Sequence, residues 1–172
     1  MSLRLVGVLF GCLACVLPAA AADNTAKEAA VANTVCTFGN GQQMSIRYSP
    51  VKYDKGVSPS VGQPWRPGDK PIYLFSQTQL KVDKTTVPPG AYSLYIVPAK
   101  ESWQVVINRN VQEGAKYDSS QDVAKIAAQT GKLPQPMGKL TLYFGRLSPE
   151  TCALRIDYGP QRAYTDFVQQ KK

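Results

Sequence analysis

The chain has 172 residues, with 20 Lys and Arg against 12 Asp and Glu for a formal charge of +8, and it contains no histidine. The missing imidazole excludes Ser-His and Cys-His nucleophile pairs, histidine metal ligands and imidazole general bases together. Four cysteines are present, two of them near the N-terminus, so the remaining Cys36 and Cys152 are too few for a thiolate zinc site, and no glycine-rich phosphate cradle occurs.

In chain order, Arg4, the apolar run Leu5 to Leu17 and Ala20-Ala21-Ala22 have the charged start, hydrophobic centre and small-residue end of a secretory signal, cut after Ala22. The run of about 13 residues is well short of the ~20 that span a bilayer, so a cleaved signal is expected over residues 1–22 rather than an anchor. Leu9-Phe10-Gly11-Cys12 loosely resembles a bacterial lipobox, which leaves lipidation at Cys12 as the alternative. Periplasmic or secreted localisation follows, with no transmembrane segment in the mature chain. The Ala-rich stretch 23–33 has few large apolar groups and reads as a flexible lead-in. One β-domain is expected over 34–170, long enough to bury a core without metals.

Val35 to Phe38 and Gln43 to Tyr48 flank Gly39-Asn40-Gly41, a hairpin turn of residues tolerant of positive φ. Met44, Ile46 and Tyr48 alternate with Ser45 and Arg47, the period of a half-buried strand. Ser49 to Lys70, rich in Pro and Gly, is the longest loop and carries Trp65 beside Arg66. Ile72 to Ser76 and Gln79 to Val82 are short strands, and Asp83-Lys84-Thr85 is a turn. Val87-Pro88-Pro89-Gly90 then feeds Ala91 to Val97, the strongest strand signal in the chain. Trp103 to Asn108 pairs with it across a short polar connection, with Trp103 in phase with the core positions Val105 and Ile107. Ser119 to Asp122 resembles a helix start, and Val123, Ile126 and Ala127 repeat at helical spacing up to Gly131, so this segment is either one short helix or a further strand. Leu140 to Phe144, Ala153 to Tyr158 and Ala163 to Val168 complete the series, the last two joined at Gly159-Pro160. At least seven short strands with turns between them predict an all-β antiparallel sandwich, with a closed barrel as the alternative.

Cys36 and Cys152 remain after signal removal, and export makes a disulfide between them the natural reading. Loss of Arg4 lowers the charge from +8 to +7. Lys and Arg are scattered singly without interleaved aromatics, which fits a solvated basic surface near an anionic envelope component or glycan and does not fit nucleic acid. Carboxylates are the remaining acid-base groups, and Asp69, Glu101, Glu113, Asp118, Asp122 and Asp157 are the candidates. Helix capping explains Asp118 and Asp122 more simply than calcium does, and no metal or cofactor is expected.

The contact surface expected for a ligand is Trp65, Arg66, Asp69 and Lys70. An indole in an open loop stacks on a sugar face, and an adjacent guanidinium donates to its oxygens or to an anion. A Trp65 folded back to plug the end of the sandwich is the competing reading. Tyr92 and Tyr95 fall on opposite strand faces, so one of them is placed to line the same end.

Trp65-Arg66-Pro67-Gly68, Val87 to Leu94, Trp103 to Asn108 and Tyr117 to Asp122 resemble, in order and spacing, an uncharacterised bacterial family, domain of unknown function 2911. The resemblance spans roughly Thr34 to Val168. Cys36-Thr37-Phe38 and Cys152 to Ile156 are similar to a branch carrying both cysteines, which implies the same pairing. The resemblance implies a β-rich, exported protein, and the family has no assigned activity, substrate or catalytic residues to carry over. Asp69-Lys70-Pro71 depart from the Ala-Asn that follows this glycine in many members, which changes the charge of the element here. The resulting reading is an exported non-catalytic envelope or ligand-binding protein. A carboxylate-dependent glycan hydrolase is the runner-up, and a purely structural or protein-interaction domain the third reading.

Overall fold

The computed structural model describes residues 30–56, 60–99 and 102–170. The expected signal, Cys12, most of the lead-in and Glu101 lie outside the described residues. The chain forms β1 (Ala32–Thr37), β2 (Gln43–Tyr48), β3 (Tyr73–Ser76), β4 (Leu80–Val82), β5 (Thr85–Val87), β6 (Gly90–Val97), β7 (Trp103–Asn108), β8 (Asp122–Arg146) and β9 (Thr151–Gln169). They make one sheet of nine strands in the order β1-β2-β3-β6-β7-β8-β9-β4-β5, with antiparallel neighbours throughout. The class is therefore all-β, as expected. β1 and β5 are the two ends of the order, so the sheet is not closed and the barrel alternative does not hold.

The alternation read in β2 is the burial pattern observed. Met44, Ile46 and Tyr48 are buried, while Ser45 and Arg47 face outward. β4 and β5 join through Asp83 at φ 53 in a tight hairpin, so Thr85 belongs to a strand rather than to the turn. β1 starts at Ala32, two residues before the expected Thr34, because Ala32 and Asn33 already pair with Tyr48 and Arg47.

Two long strands turn this sheet into a sandwich. β8 pairs with β7 up to Ala128 and with β9 from Gln129 onward, so its second half leaves the first layer. Tyr48 Oη donates to the Leu142 carbonyl at 3.3 Å and Phe144 N donates to Thr34 Oγ1 at 3.3 Å, so this half lies across β1 and β2. Inward side chains from both layers share one core, including Ile46, Leu74, Leu94, Ile126, Leu154 and Phe167. Cys36 of β1 and Cys152 of β9 are joined as a disulfide, with Cα atoms 6.4 Å apart. The bend in β9 sits at Gly159, whose φ of 56 suits glycine and where a Cβ would collide with the Tyr53 ring.

The helix alternative at 119–131 is replaced by strand. Asp118 does cap, accepting from Ser120 N, but only a three-residue 3-10 turn, Ser119–Gln121, follows before β8 begins. Ala124, Ile126 and Ala128 are buried while Lys125 and Ala127 are exposed, a period of two. Alanines fit either period, and cross-strand packing decides between them. Ala128 stands opposite Trp103 and Ala124 opposite Ile107, small against large.

Candidate functional site

β6 and β9 both run between two ends of the molecule, and each end gathers residues from distant parts of the chain. At the first end, Trp65 is held as a strand-like residue alongside β6. Its N–H donates to the Ile96 carbonyl at 2.7 Å, and Ile96 N donates back at 2.9 Å. The indole is half-buried and meets the Tyr158 ring edge-on at 5.2 Å, and Tyr158 in turn meets Tyr53 at 5.0 Å. Trp65 thus packs on the core, in keeping with the plug reading. Arg66 goes to the other face of β6. Its guanidinium lies 4.8 Å above the Tyr95 ring, and Nη2 donates to the Ala115 carbonyl at 3.3 Å. Of the two tyrosines, Tyr95 therefore neighbours this segment, whereas Tyr92 is buried on the inner face and donates from Oη to the Pro88 carbonyl. Burial pushes the Tyr92 phenol up, with Arg109 opposing.

Asp69 and Lys70 are exposed on the tight turn Pro67–Asp69. That turn requires a glycine at Gly68, where φ is 64 and a Cβ would come within 2.8 Å of Val51. The four residues expected to form a contact surface are neighbours along the chain, but Trp65 and Arg66 are each anchored to a different ring.

The described carboxylates are spread over the molecule. Asp118 accepts from Ser120 N and Oγ at 2.9 and 2.8 Å, and these bonds hold its carboxyl below the usual range. Asp122 accepts from Tyr117 Oη at 2.5 Å and Asn108 Nδ2 at 2.8 Å and pairs with Lys125 at 3.3 Å. Burial first, then the bond to Asp122 and nearby negative charge, push the Tyr117 phenol up to about 12. Asp157 is buried and held bidentately by Arg162, with both bonds at 2.7 Å. Arg162 Nη2 also donates to Tyr143 Oη at 2.8 Å. Asp69 and Glu113 are exposed. Among the described residues, no group of three or more Asp, Glu, Cys or His is gathered as metal ligands would be.

The second end is concave. A cavity of about 800 Å³ opens among three chain segments that carry neutral amides. The β1–β2 turn contributes Asn40 and Gln42, and the β3–β4 connection contributes Gln77, Thr78 and Gln79. The end of β9 and the residue after it contribute Gln169 and Gln170, and Pro89, Pro149 and Glu150 complete the wall. Gln169 Nε2 donates to Asn40 Oδ1, Gln42 Oε1 and Thr78 Oγ1 at 2.9, 3.0 and 3.2 Å, which ties all three segments together. Gln42 Nε2 donates to the Gln77 carbonyl at 3.1 Å, and Gln79 Nε2 donates to Gln170 Oε1.

The walls are braced from behind. Gly39 N donates to the Pro149 carbonyl at 2.6 Å, and the Cys36–Cys152 disulfide lies three residues before Gly39 and two after Glu150. The sequence marks none of these amides as a site residue, because each one alone looks like an ordinary turn or strand-end residue. The available signal was collective, since Asn40, Gln42, Gln77, Gln79, Gln169 and Gln170 all flank strand boundaries.

The two ends lie roughly 20 Å apart, the rise of the six or so residues of β6 that separate Gly90, next to Pro89, from Ile96. A family model described as protein of unknown function (DUF2911) matches residues 30–166. The match takes in β1 to β8 and nearly all of β9. Neither a curated protein nor a solved structure matches the chain. The chain belongs to the DUF2911 family of proteins of unknown function.

Proposed function

We propose that this DUF2911 protein is an exported, non-catalytic ligand-binding module whose ligand sits in the amide-lined cavity. The observation behind the reading is the makeup of that cavity. Its volume of about 800 Å³ falls in the range of small-ligand sites, and among the described residues its polar side chains are amides and a hydroxyl, with Glu150 the one ionisable group. Amides bind and orient, but they supply no nucleophile and no proton that titrates near neutral pH. Glu150 is the one described carboxylate lining the cavity, so no pair of carboxylates faces a ligand there among the described residues, and Asp122 and Asp157 are engaged elsewhere.

Export is supported by the signal-like N-terminus together with a disulfide of the kind that persists in oxidising compartments. The surplus of positive charge favours residence near an anionic envelope. The Trp65–Lys70 segment stands as the alternative contact surface, because Asp69 and Lys70 are exposed beside a half-exposed indole.

A thermal-shift screen of the purified protein against envelope-derived small molecules and glycans tests the reading, with Gln79→Ala and Trp65→Ala run in parallel. A ligand that raises the melting temperature of the wild type and of Trp65→Ala, relative to each unliganded protein, but not that of Gln79→Ala, supports the cavity. A response lost in Trp65→Ala alone moves the site to the loop. Turnover of a bound glycan contradicts the non-catalytic part.

A further inference from the structure

Building on the cavity reading, we infer that the ligand is an uncharged, polyhydroxylated molecule, a neutral glycan fragment of a few sugar rings. The first argument is what the cavity leaves out. Among the described residues no Lys or Arg lines the cavity, and the one charged lining group is the acid Glu150. A carboxylated, sulfated or phosphorylated ligand entering there meets the carboxylate Glu150 and no cation among the described lining residues, and it loses hydration.

The second argument is the mixture of donors and acceptors. Among the described residues, Gln77 Nε2 and Gln170 Nε2 donate to no protein acceptor, and Gln79 Oε1 and Gln169 Oε1 accept from no protein donor. A hydroxyl both donates and accepts, so a polyol matches such a mixed ring from either direction. Pro89 and Pro149 add apolar C–H surface of the kind that covers the less polar face of a sugar ring.

The third argument is preorganisation. Gln169 Nε2 is shared among three acceptors from two other segments, and the disulfide and the Gly39–Pro149 bond fix the turns behind them. Side chains already held in place lose less freedom on binding, which matters most for sugars, whose hydrogen bonds only replace those made to water.

The test reads the side-chain NH2 signals in 1H–15N spectra of the purified protein, assigned with single Gln→Ala variants. Maltotriose, cellotriose and chitotriose are titrated as neutral probes, trigalacturonate as the anionic counterpart, and a Gln-rich tripeptide as the amide probe. The expected result is saturable movement of the Gln77, Gln79, Gln169 and Gln170 signals with at least one neutral trisaccharide, at a Kd on the order of 1 mM or tighter. Trigalacturonate should bind about tenfold or more weakly, and Gln79→Ala and Gln170→Ala should each weaken the neutral sugar by about tenfold, the scale of one lost hydrogen bond. Both residues are at least partly exposed, so their truncation should leave the fold intact. Tighter binding of trigalacturonate, or movement with the tripeptide alone, overturns the ligand class and leaves the cavity standing. A probe that binds without moving any cavity amide overturns the cavity and the class together.

Discussion

The two ends of the sandwich solve opposite problems. At one end Tyr53, Tyr158 and Trp65 interlock edge to face, and each ring takes up the apolar surface of the next. At the other, amides bond to one another across three segments and still hold donors and acceptors in reserve. Aromatic rings spend their surface on packing, whereas an amide has four hydrogen-bonding sites and seldom fills them all from within the protein. The contrast suggests that the aromatic end mainly stabilises the fold and the amide end mainly recognises a ligand.

The largest test of that contrast is removal of the disulfide. Cys36→Ala with Cys152→Ala opens a link of sequence separation 116 directly behind the amide end. A loss of about 4 kcal/mol in urea unfolding is expected, with weaker ligand binding in the protein that remains folded. Next comes the clamp on β9, the strand that reaches both ends. Arg162→Met leaves Asp157 buried without its partner, and a loss of about 3 kcal/mol is expected. Trp65→Ala should cost about 2 kcal/mol, below the range for a fully buried Trp because the indole is half-exposed, and should leave cavity affinity unchanged. A Trp65→Ala protein of undiminished stability that has lost its ligand would reverse the roles of the two ends.

A smaller effect should follow pH. The Tyr117 phenol is raised from 10.0 to about 12, so the folded state holds that proton more tightly than the unfolded chain does. Its contribution is complete below pH 10 and is lost as pH rises from 10 toward 12. Melting temperatures between pH 9 and 12 should therefore fall less steeply in Tyr117→Phe than in the wild type. Gln79→Ala and Gln170→Ala should change stability least, within about 0.5 kcal/mol, while lowering ligand affinity.

Much of the fold was legible because it is written in short periods. β2 alternates cleanly, and the Pro-Pro-Gly turn announces β6, which pairs with β7 as its short polar connection predicts. The long strands were not legible as single strands. Pro134, Pro136 and Gly138 in β8, and Gly159-Pro160 in β9, carry the composition of turns, yet here they mark register shifts and a bend inside continuous strands. The Ala-rich start of β8 fits both helical and strand periods, and its pairing with β7 settles the choice only in three dimensions. Trp65 is conspicuous locally as a large aromatic in a Pro/Gly-rich segment, but its pairing with Ile96 is a single bridge and has no sequence period. The cavity has no local motif at all. Residues near 40, 77 and 170 become neighbours only because strand order brings three boundaries to one end.

A crystal of the protein soaked with the best-binding neutral trisaccharide tests the central claim most directly. The account predicts sugar density between Gln79 and Gln170, with hydroxyls within hydrogen-bond distance of at least two cavity amides. Density against Trp65, Asp69 or Lys70 with the cavity empty would contradict it.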